Sequence, residues 1–477
     1  MRDGTHWRLR WIAASGSGLV TFAMTWALGQ LVFKLAHLIR VRMLSVDRAS
    51  RTFALHPLDA DLAYGQMPWH GEIGRQSTER RVADWYANIA PPRATWRSLD
   101  AIEPYRREFE HRVRAGDLDD AAMVLGTISE WLVWQGSVLA AISMHLTVDG
   151  RLNDERARLA HVRGFGLARL NGGPMAHAVD LFTDAIVLAR CLDDRQALQD
   201  ALFGLGDTHR QMGRLDAAVG PLTEAADLAH EIGDADREVH AILSRSLAYS
   251  YRGDGAAALV DANLLDELAR ASGDLLTEAR SWNARSIALL TLGRWEEAIA
   301  ASDRAMHVYR HAGSKEAITY ALNAQGIALI ALGRITEALD ALEAARHDAS
   351  QMENPRAEGV CLFNMAWAYW AGGQYGQAEE TAKRATVSLQ IAGAAEATAA
   401  KAFAEAAHAR SASDLRAAAR ALVRVADSIG QNAELLRPSW IIAQAQLLHG
   451  EIGETEYGTL SPDPPSNSSG TSENAGP

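Results

Sequence analysis

The sequence predicts an all-α protein, a right-handed α-solenoid of stacked helix-turn-helix units, and three registers support this prediction. Six glycines recur at intervals of forty residues: Gly173, Gly213, Gly253, Gly293, Gly333 and Gly373. Alanines follow five residues after each of them: Ala178, Ala218, Ala258, Ala298, Ala338 and Ala378. Another alanine register is interrupted only by Leu265: Ala185, Ala225, Ala305, Ala345 and Ala385. A fixed period of this size is typical of stacked supersecondary units that bury their apolar faces against one another.

Each unit is predicted to contain two helices joined by a glycine turn. In the second unit we expect helices over 199–212 and 215–232, with Gly213 in the left-handed region that closes a tight turn. Ala218 and Ala225 are seven residues apart, so they share one helical face, where small side chains let two helices approach closely. The units join at further glycines on the forty-residue grid, and the Asp or Ser that follows most of them should cap the next helix.

Some units depart from the pattern. The third has Gly255 and Ala262 where larger residues are expected, so we expect it to pack loosely. Degenerate units flank the array at residues 116–121 and 411–426, and they are expected to act as caps. The Ser- and Pro-rich end cannot bury a core and is expected to be disordered.

These patterns predict four segments. Residues 1–70 form a basic N-terminal segment with an apolar helix, and residues 71–150 form a helical linker with a degenerate capping repeat. Residues 151–450 form the solenoid, with six clear forty-residue repeats and one degenerate repeat, and residues 451–477 form the disordered tail.

Composition and motifs argue against catalysis. The net charge of −12 disfavours nucleic acid as the main partner, and two cysteines 170 residues apart favour reduced thiols in a cytoplasm. The sequence has no Gly-Lys phosphate loop, G-x-S-x-G elbow, H-E-x-x-H helix or paired C-x-x-C motif. His307 and His311 share a helical face but have no third ligand nearby. We therefore expect no enzyme activity, no metal and no cofactor.

Residues 205–229 and 292–305 resemble tetratricopeptide repeats, with a small–large–Gly pattern in the first helix and spaced alanines in the second. The resemblance covers about residues 160–430. It implies that the first helix of each unit lines a concave groove that binds a protein or peptide. On that basis the groove residues are predicted to be Arg163, Asp207, Arg210, Tyr251, Arg280, Asn283, Tyr320, Asn323, Asn364, Trp367 and Trp370. Asn amides both donate to and accept from a peptide backbone, and aromatic rings serve as anchors; the alternative is that these side chains fix helix ends or pack between repeats.

The N-terminal end differs in charge from the rest of the chain. Residues 1–51 carry eight basic residues against two acidic ones, and the run from Trp11 to Phe33 has no charge over 23 residues. Its length suits a membrane span. However, Ser15–Gly18 interrupts it, and only fifteen residues remain between Leu19 and Phe33, fewer than the ~20 that a bilayer needs. We predict a protein of the soluble fraction.

Residues 43–67 predict a strand, a turn, a second strand and a helix. With Leu55-His56-Pro57-Leu58 and residues 84–122, they resemble the winged-helix and superhelical region of NB-ARC/STAND-type regulators. The resemblance covers about residues 40–150, and the nucleotide-binding domain of that family has no counterpart in this sequence. It implies a small winged-helix-like remnant, a role as a sensor arm, and a separate ATPase or regulator as a partner.

The predicted function is therefore a non-catalytic scaffold or sensor arm that binds a peptide or protein partner. One alternative is a membrane-tethered repeat protein anchored by residues 11–33. Another is a DNA-binding regulator that uses the basic N-terminal segment, although half a winged helix lacks a complete recognition element.

Overall fold

The computed structural model describes residues 44–47, 52–55, 64–72, 74–312 and 314–391, together with 397, 400, 401, 403 and 404. The chain forms two compact units. One comprises residues 1–128 and 147–152, and the other comprises residues 129–146 and 153–477. This division runs through the predicted linker, because residues 129–146 group with the repeats that follow them.

The first unit contains a hairpin and a helix pair. Strands β1 (Leu44–Asp47) and β2 (Thr52–Leu55) are antiparallel, with Leu44 opposite Leu55 and Val46 opposite Phe53. Helices α1 (Arg75–Ile89) and α2 (Glu103–Ala115) pack together, and two short 3-10 turns, Arg93–Thr95 and Leu99–Ile102, connect them. The two predicted strands are confirmed and pair with each other, whereas the residues between them and most of the Leu-His-Pro-Leu segment lie outside the described residues.

A buried polar pair joins α1 to α2. The Glu79 carboxylate and the His111 ring, both buried, are hydrogen-bonded. Burial raises the pKa of Glu79, but the hydrogen bonds from His111 and Tyr64 outweigh it, so the pKa lies below its usual value. Tyr86 stacks on the His111 ring with centroids 5.6 Å apart. The pair therefore holds the two helices in one register.

Two further helices, α3 (Leu118–Trp134) and α4 (Val138–Val148), precede six helix pairs whose first helices begin at intervals of forty residues. The pairs are α5 (Glu155–Gly172) with α6 (Met175–Cys191), α7 (Arg195–Gln211) with α8 (Leu215–Ile232), α9 (Ala235–Arg252) with α10 (Gly255–Ser272), α11 (Leu275–Thr291) with α12 (Trp295–Ala312), α13 (Lys315–Ala331) with α14 (Ile335–Gln351), and α15 (Pro355–Ala371) with α16 (Tyr375–Ile391). From α5 to α16, each helix packs against the next one along the chain. The predicted all-α solenoid of helix-turn-helix repeats is confirmed.

The turns follow the predicted chemistry with two exceptions. Gly213 has φ 74°, and the glycines on its register at 253, 293, 333 and 373 are also left-handed. Gly173 is extended instead, with φ −148°, and Pro174 follows it. Asp234 and Asp274 cap the next helices through their carboxylates, whereas the predicted cap at Ser314 makes no side-chain bond. The aspartates at these joints therefore cap the following helix, and the serine does not.

Size complementarity governs packing inside each repeat, between a first-helix residue and the second-helix residue sixteen positions later. An added Cβ on Gly206 would lie 2.5 Å from Leu222 Cγ, and one on Gly326 would lie 2.6 Å from Leu342 Cγ. Where the first helix carries serine, its partner is small: Ser286 Oγ and Ser302 Oγ are 2.7 Å apart. Glycine thus faces a large side chain, and serine faces a small one.

This rule corrects the expectation that the third repeat packs loosely. Ala262 is fully buried, and its partner Ser246, also buried, donates to the Ala258 carbonyl at 3.1 Å. Gly255 lies so close to the next repeat that an added Cβ would be 2.7 Å from Leu292 Cγ. Its small size permits close approach between repeats, and it leaves no void.

A buried histidine pair lies at the start of the second unit. Ser129, His145 and His161, spaced sixteen residues apart, form a hydrogen-bonded row: Ser129 Oγ to His145 Nε2 is 2.9 Å, and His145 Nδ1 to His161 Nδ1 is 3.1 Å. His145 is 0% exposed and stacks on Phe165. Burial and the neighbouring His161 hold the pKa of His145 well below its usual value.

We expect this pair to make stability depend on pH. The pKa of His145 is lower in the folded state than the ~6.5 of an unfolded histidine, so the stabilisation is complete above that pH and is lost as pH falls below it. The loss can reach about 1.4 kcal/mol per pH unit for one proton. Urea denaturation at pH 7.5 and 5.5 should show a smaller drop for His145→Gln than for the native chain. Equal drops would contradict this origin of the pH dependence.

Candidate functional site

The first helices of the six repeats form the inner side of the solenoid. Each contacts the next along the series α5, α7, α9, α11, α13 and α15, whereas the second helices have no comparable contacts with one another. Elements on the tighter side of a curved array lie closer together, so the exposed parts of the first helices form its inner surface. All eleven predicted groove residues belong to these helices.

At one end of the inner surface, an acid links two arginines across three repeats. Asp200 Oδ2 accepts from Arg163 Nη1 at 2.6 Å, and Asp200 Oδ1 accepts from Arg237 Nε at 2.7 Å. Arg237 also bonds Asp234 Oδ2 at 2.6 Å. The predicted residue Arg163 is therefore part of a contact between repeats.

A second polar cluster joins α7 to α9. Asp207 Oδ1 accepts from Arg210 Nε at 2.9 Å and from Ser244 Oγ at 2.6 Å, while Asp207 Oδ2 accepts from Gln211 Nε2 at 2.8 Å. Burial raises the pKa of Asp207, but the Arg210 charge and these hydrogen bonds outweigh it and leave the pKa below its usual value. Asp207 and Arg210 thus pair with each other in a hydrogen-bonded ion pair.

At the other end, Asn364 Nδ2 donates to Asn323 Oδ1 at 2.8 Å, so these two predicted residues pair with one another across α13 and α15. The two tryptophans predicted as exposed anchors are instead buried. Trp367 is 2% exposed and Trp370 is 8% exposed, and both lie in a core cluster that includes Phe403. Their rings stabilise the end of the array, and they do not line an open surface.

The centre of the inner surface is different. The Arg280 guanidinium forms no hydrogen bond or ion pair with the residues that the structure describes. Asn283 Oδ1, one turn further along α11, is buried and has no hydrogen-bond partner among them. On the flanking helices, Tyr320 is 49% exposed and Tyr251 is partly buried. Arg280 and Asn283 on α11 therefore carry hydrogen-bonding groups that the described residues leave unsatisfied at the centre of the inner surface.

Four inner-surface residues were not predicted from the sequence: Asp200, Arg237, His240 and Ser244. Asp200, His240, Arg280 and Tyr320 occupy one position of the forty-residue grid, so alignment of the repeats would have found His240. The contacts of Asp200 and Asp207 reach residues 37 positions away, an interval set by how the repeats stack. No sequence motif marks that interval.

Within the described ranges, no three His, Cys, Asp or Glu side chains are grouped closely enough to hold a metal ion. His307 and His311 lie edge to face, with ring centroids 4.6 Å apart. Cys191 and Cys361 are free thiols, and burial raises the pKa of Cys361 to about 12. Across the same residues, no helix combines the length and the apolar character needed to cross a bilayer. The apolar run at residues 11–33 lies outside them.

No family model and no curated protein matches this chain. A Rap protein complexed with Competence and Sporulation Factor is similar in structure, with a TM-score of 0.47 and 12% identity over 81% of this chain and 100% of that chain. Aspartyl phosphate phosphatase F from Bacillus subtilis has a TM-score of 0.44 and 12% identity, over 70% of this chain and 91% of that one.

A Signal Transduction ATPase with Numerous Domains protein with a tetratricopeptide repeat sensor, from Pyrococcus horikoshii, has a TM-score of 0.42 and 14% identity over 90% of this chain and 60% of that one. Because these three TM-scores are below 0.5, the class of the protein rests on its own helix pairs, glycine turns and small-residue registers. The described part of the chain is an α-solenoid of helix-turn-helix repeats that resemble tetratricopeptide repeats.

Proposed function

We propose that this protein is a non-catalytic scaffold or sensor arm that binds an extended peptide, or a flexible segment of a partner protein, on the inner surface across α9, α11 and α13. The observation that supports this proposal most directly is the pair Arg280 and Asn283. The Arg280 guanidinium forms no hydrogen bond or close ion pair with the described residues, and Asn283 has a buried acceptor without a donor among them.

The energetics favour a bound ligand at this place. A buried acceptor left without a hydrogen bond costs about 1–3 kcal/mol. Rotation of the partly exposed Asn283 amide would bring Oδ1 to the surface, where a peptide backbone N–H would remove that cost. The neighbouring polar groups are not available to bond Asn283 Oδ1. Asp207 and Arg210 on one side bond each other, and so do Asn323 and Asn364 on the other side.

The dimensions suit a short extended segment. Adjacent packed helices have axes ~8–10 Å apart, so three first helices span about 20 Å. A strand-like chain advances ~3.3 Å per residue and would cross them with about six residues. The exposed ring of Tyr320 on α13 offers an aromatic anchor of the kind that dominates binding energy at interfaces.

The sensor-arm aspect of the proposal rests on the resemblance of the N-terminal region to STAND-type regulators. If the protein is a sensor arm, a separate ATPase or regulator is a further partner, and the protein acts in the cytoplasm. The anchor alternative concerns residues 11–33, which lie outside the described part of the chain. No observation on the described residues favours it, or DNA binding, over the groove.

A peptide selection tests the proposed function. Peptides of nine residues displayed on phage are selected on the full-length protein, and their affinities are measured for Asn283→Ala. We expect binding to weaken about tenfold, because the ligand loses one hydrogen bond to a partly buried amide. The melting temperature should not fall, since Asn283 Oδ1 makes no bond in the free protein.

Gln351→Ala is the matched control, because Gln351 is an exposed amide on the second helix α14. It should leave both affinity and melting temperature unchanged. If no peptide is enriched, or if Asn283→Ala lowers the melting temperature and leaves the affinity unchanged, the groove proposal is wrong.

A further inference from the structure

The ligand class can be narrowed, on the assumption that the proposed groove binds a peptide. We propose that the bound peptide presents an acidic group, either a carboxylate or a phosphate, to Arg280, and that His240 on the adjacent helix is the second group that contacts this anion. The site would therefore select peptides by charge at one position.

The first argument is the contrast among the inner-surface arginines. Arg163 and Arg237 share Asp200, and Arg210 bonds Asp207. Arg280 is partly buried like them, yet it forms no ion pair with any described residue. A partly desolvated guanidinium favours a bidentate or charge-assisted bond to an oxyanion. An incoming anion is the ligand that completes this position.

The second argument is the immediate surroundings of Arg280. His240 occupies the same grid position on α9, and Tyr309 and Asp274 also lie within electrostatic reach. Asp274 caps α11 by accepting from the Leu276 and Thr277 amides, so it is already engaged. Arg280 is thus the charged group at this point of the inner surface whose hydrogen-bond donors have no partner among the described residues.

The third argument is the spacing from Arg280 to Asn283. Three residues of α-helix separate the two positions by about 4.5 Å along the axis, a distance that the side chain and the backbone N–H of a ligand segment crossing the helix can span. An acidic residue on Arg280 and a backbone N–H on Asn283 Oδ1 would therefore come from the same or adjacent ligand residues. Both unsatisfied groups are used by one short segment.

His240 would make the affinity for an acidic peptide depend on pH. It is flanked by Asp236 and Arg237 on its own helix, by Asp207 and the Phe203 ring on α7, and by Arg280 on α11. Although His240 is an exposed residue, desolvation by the surrounding protein, and then the Arg280 charge, lower the pKa of its ring below the usual value. A bound anion offsets the Arg280 charge and raises that pKa. Proton uptake is then coupled to binding.

The test uses the full-length protein and synthetic nonapeptides of otherwise randomised sequence with Glu, phosphoserine, Gln or Lys at the central position. We expect peptides with Glu or phosphoserine to bind at least tenfold more tightly than those with Gln or Lys. Comparison of the Glu and phosphoserine sets then identifies which anion is preferred. Arg280→Gln should remove the preference for an acidic residue while leaving the affinity for Gln peptides within about twofold.

Two further variants complete the design. Arg270→Gln, an exposed arginine on the second helix α10, should change nothing. In the native chain, affinity for the Glu peptides should rise by up to tenfold from pH 7.5 to 6, and this rise should be absent in His240→Gln. Equal affinity for Glu and Gln peptides, together with an effect of Asn283→Ala, would overturn the acidic-ligand proposal and leave peptide binding intact. A flat pH profile in the native chain would remove His240 from the site.

Discussion

Gly206→Ala is expected to destabilise the solenoid by about 1–2 kcal/mol, although alanine is the better helix former. The new methyl group would lie 2.5 Å from Leu222 Cγ and 3.2 Å from the Ala218 carbonyl oxygen. Overpacking of this kind costs about 1–3 kcal/mol, which exceeds the ~0.5–1 kcal/mol that alanine gains over glycine in a helix. The urea midpoint of the full-length chain, followed by circular dichroism, measures the change.

Leu222→Ala alone should cost about 2–5 kcal/mol because it leaves a cavity in a fully buried site. In the double variant that combines Gly206→Ala with Leu222→Ala, the methyl group of Ala at position 206 fills part of that cavity. The total loss should therefore be at least about 1 kcal/mol smaller than the sum of the two single losses. Ala366 and Ala382, both fully buried sixteen residues apart in the sixth repeat, show that an alanine pair is accommodated.

Gly376→Ala is the matched control, since no heavy atom lies within 4 Å of an added Cβ there and the residue is helical. It should leave stability unchanged or slightly increased. Additive losses for Gly206→Ala and Leu222→Ala would show that the sixteen-residue pairs do not determine packing within the repeats.

Deletion of residues 274–313 is expected to give a folded protein that lacks one repeat and no longer binds the selected peptides. The deletion removes α11 and α12, and with them Arg280 and Asn283. The faces that meet afterwards are matched, because Gly255 would face Leu332 where it now lies close to Leu292. Each repeat contacts mainly its neighbours, so the rest of the array is retained.

Circular dichroism should show an unchanged mean residue ellipticity and a cooperative, if earlier, urea transition. Deletion of residues 274–293 is the control, since it removes a single helix and brings two second helices together without their complementary faces. That variant should lose cooperativity or precipitate. If the forty-residue deletion behaves in the same way, the repeats are not separable units.

Several features followed from the sequence because they depend on local chemistry. The forty-residue period, the left-handed glycine turns and the buried alanine registers each reflect backbone geometry or the close approach of neighbouring helices. The hairpin at residues 44–55 was also predictable, since the alternating strand pattern is local. The predicted start of α7 at residue 199 was four residues late, because Asp194 already provides the cap.

The grid predicted which residues lie on the first helices, but it did not predict which of them are free to bind. Asn323 and Asn283 occupy equivalent positions, yet Asn323 bonds Asn364 while Asn283 Oδ1 has no partner among the described residues. The difference depends on the residue that the next repeat supplies 41 positions later. Contacts at that distance are fixed only when the repeats stack.

The burial of the two tryptophans could not be predicted from the repeat register either. Trp367 and Trp370 occupy a first helix, and a repeat resemblance assigns such residues to the groove. They are buried because the sixth repeat packs into a cluster that continues to Phe403, beyond the last clear repeat unit. The sequence by itself determined the helix pairs, their turns and their period, since these follow from side-chain size and backbone freedom within one repeat. The tertiary structure alone decided which inner-surface groups are satisfied and which are open, because hydrogen bonding and burial there depend on groups that adjacent repeats bring together.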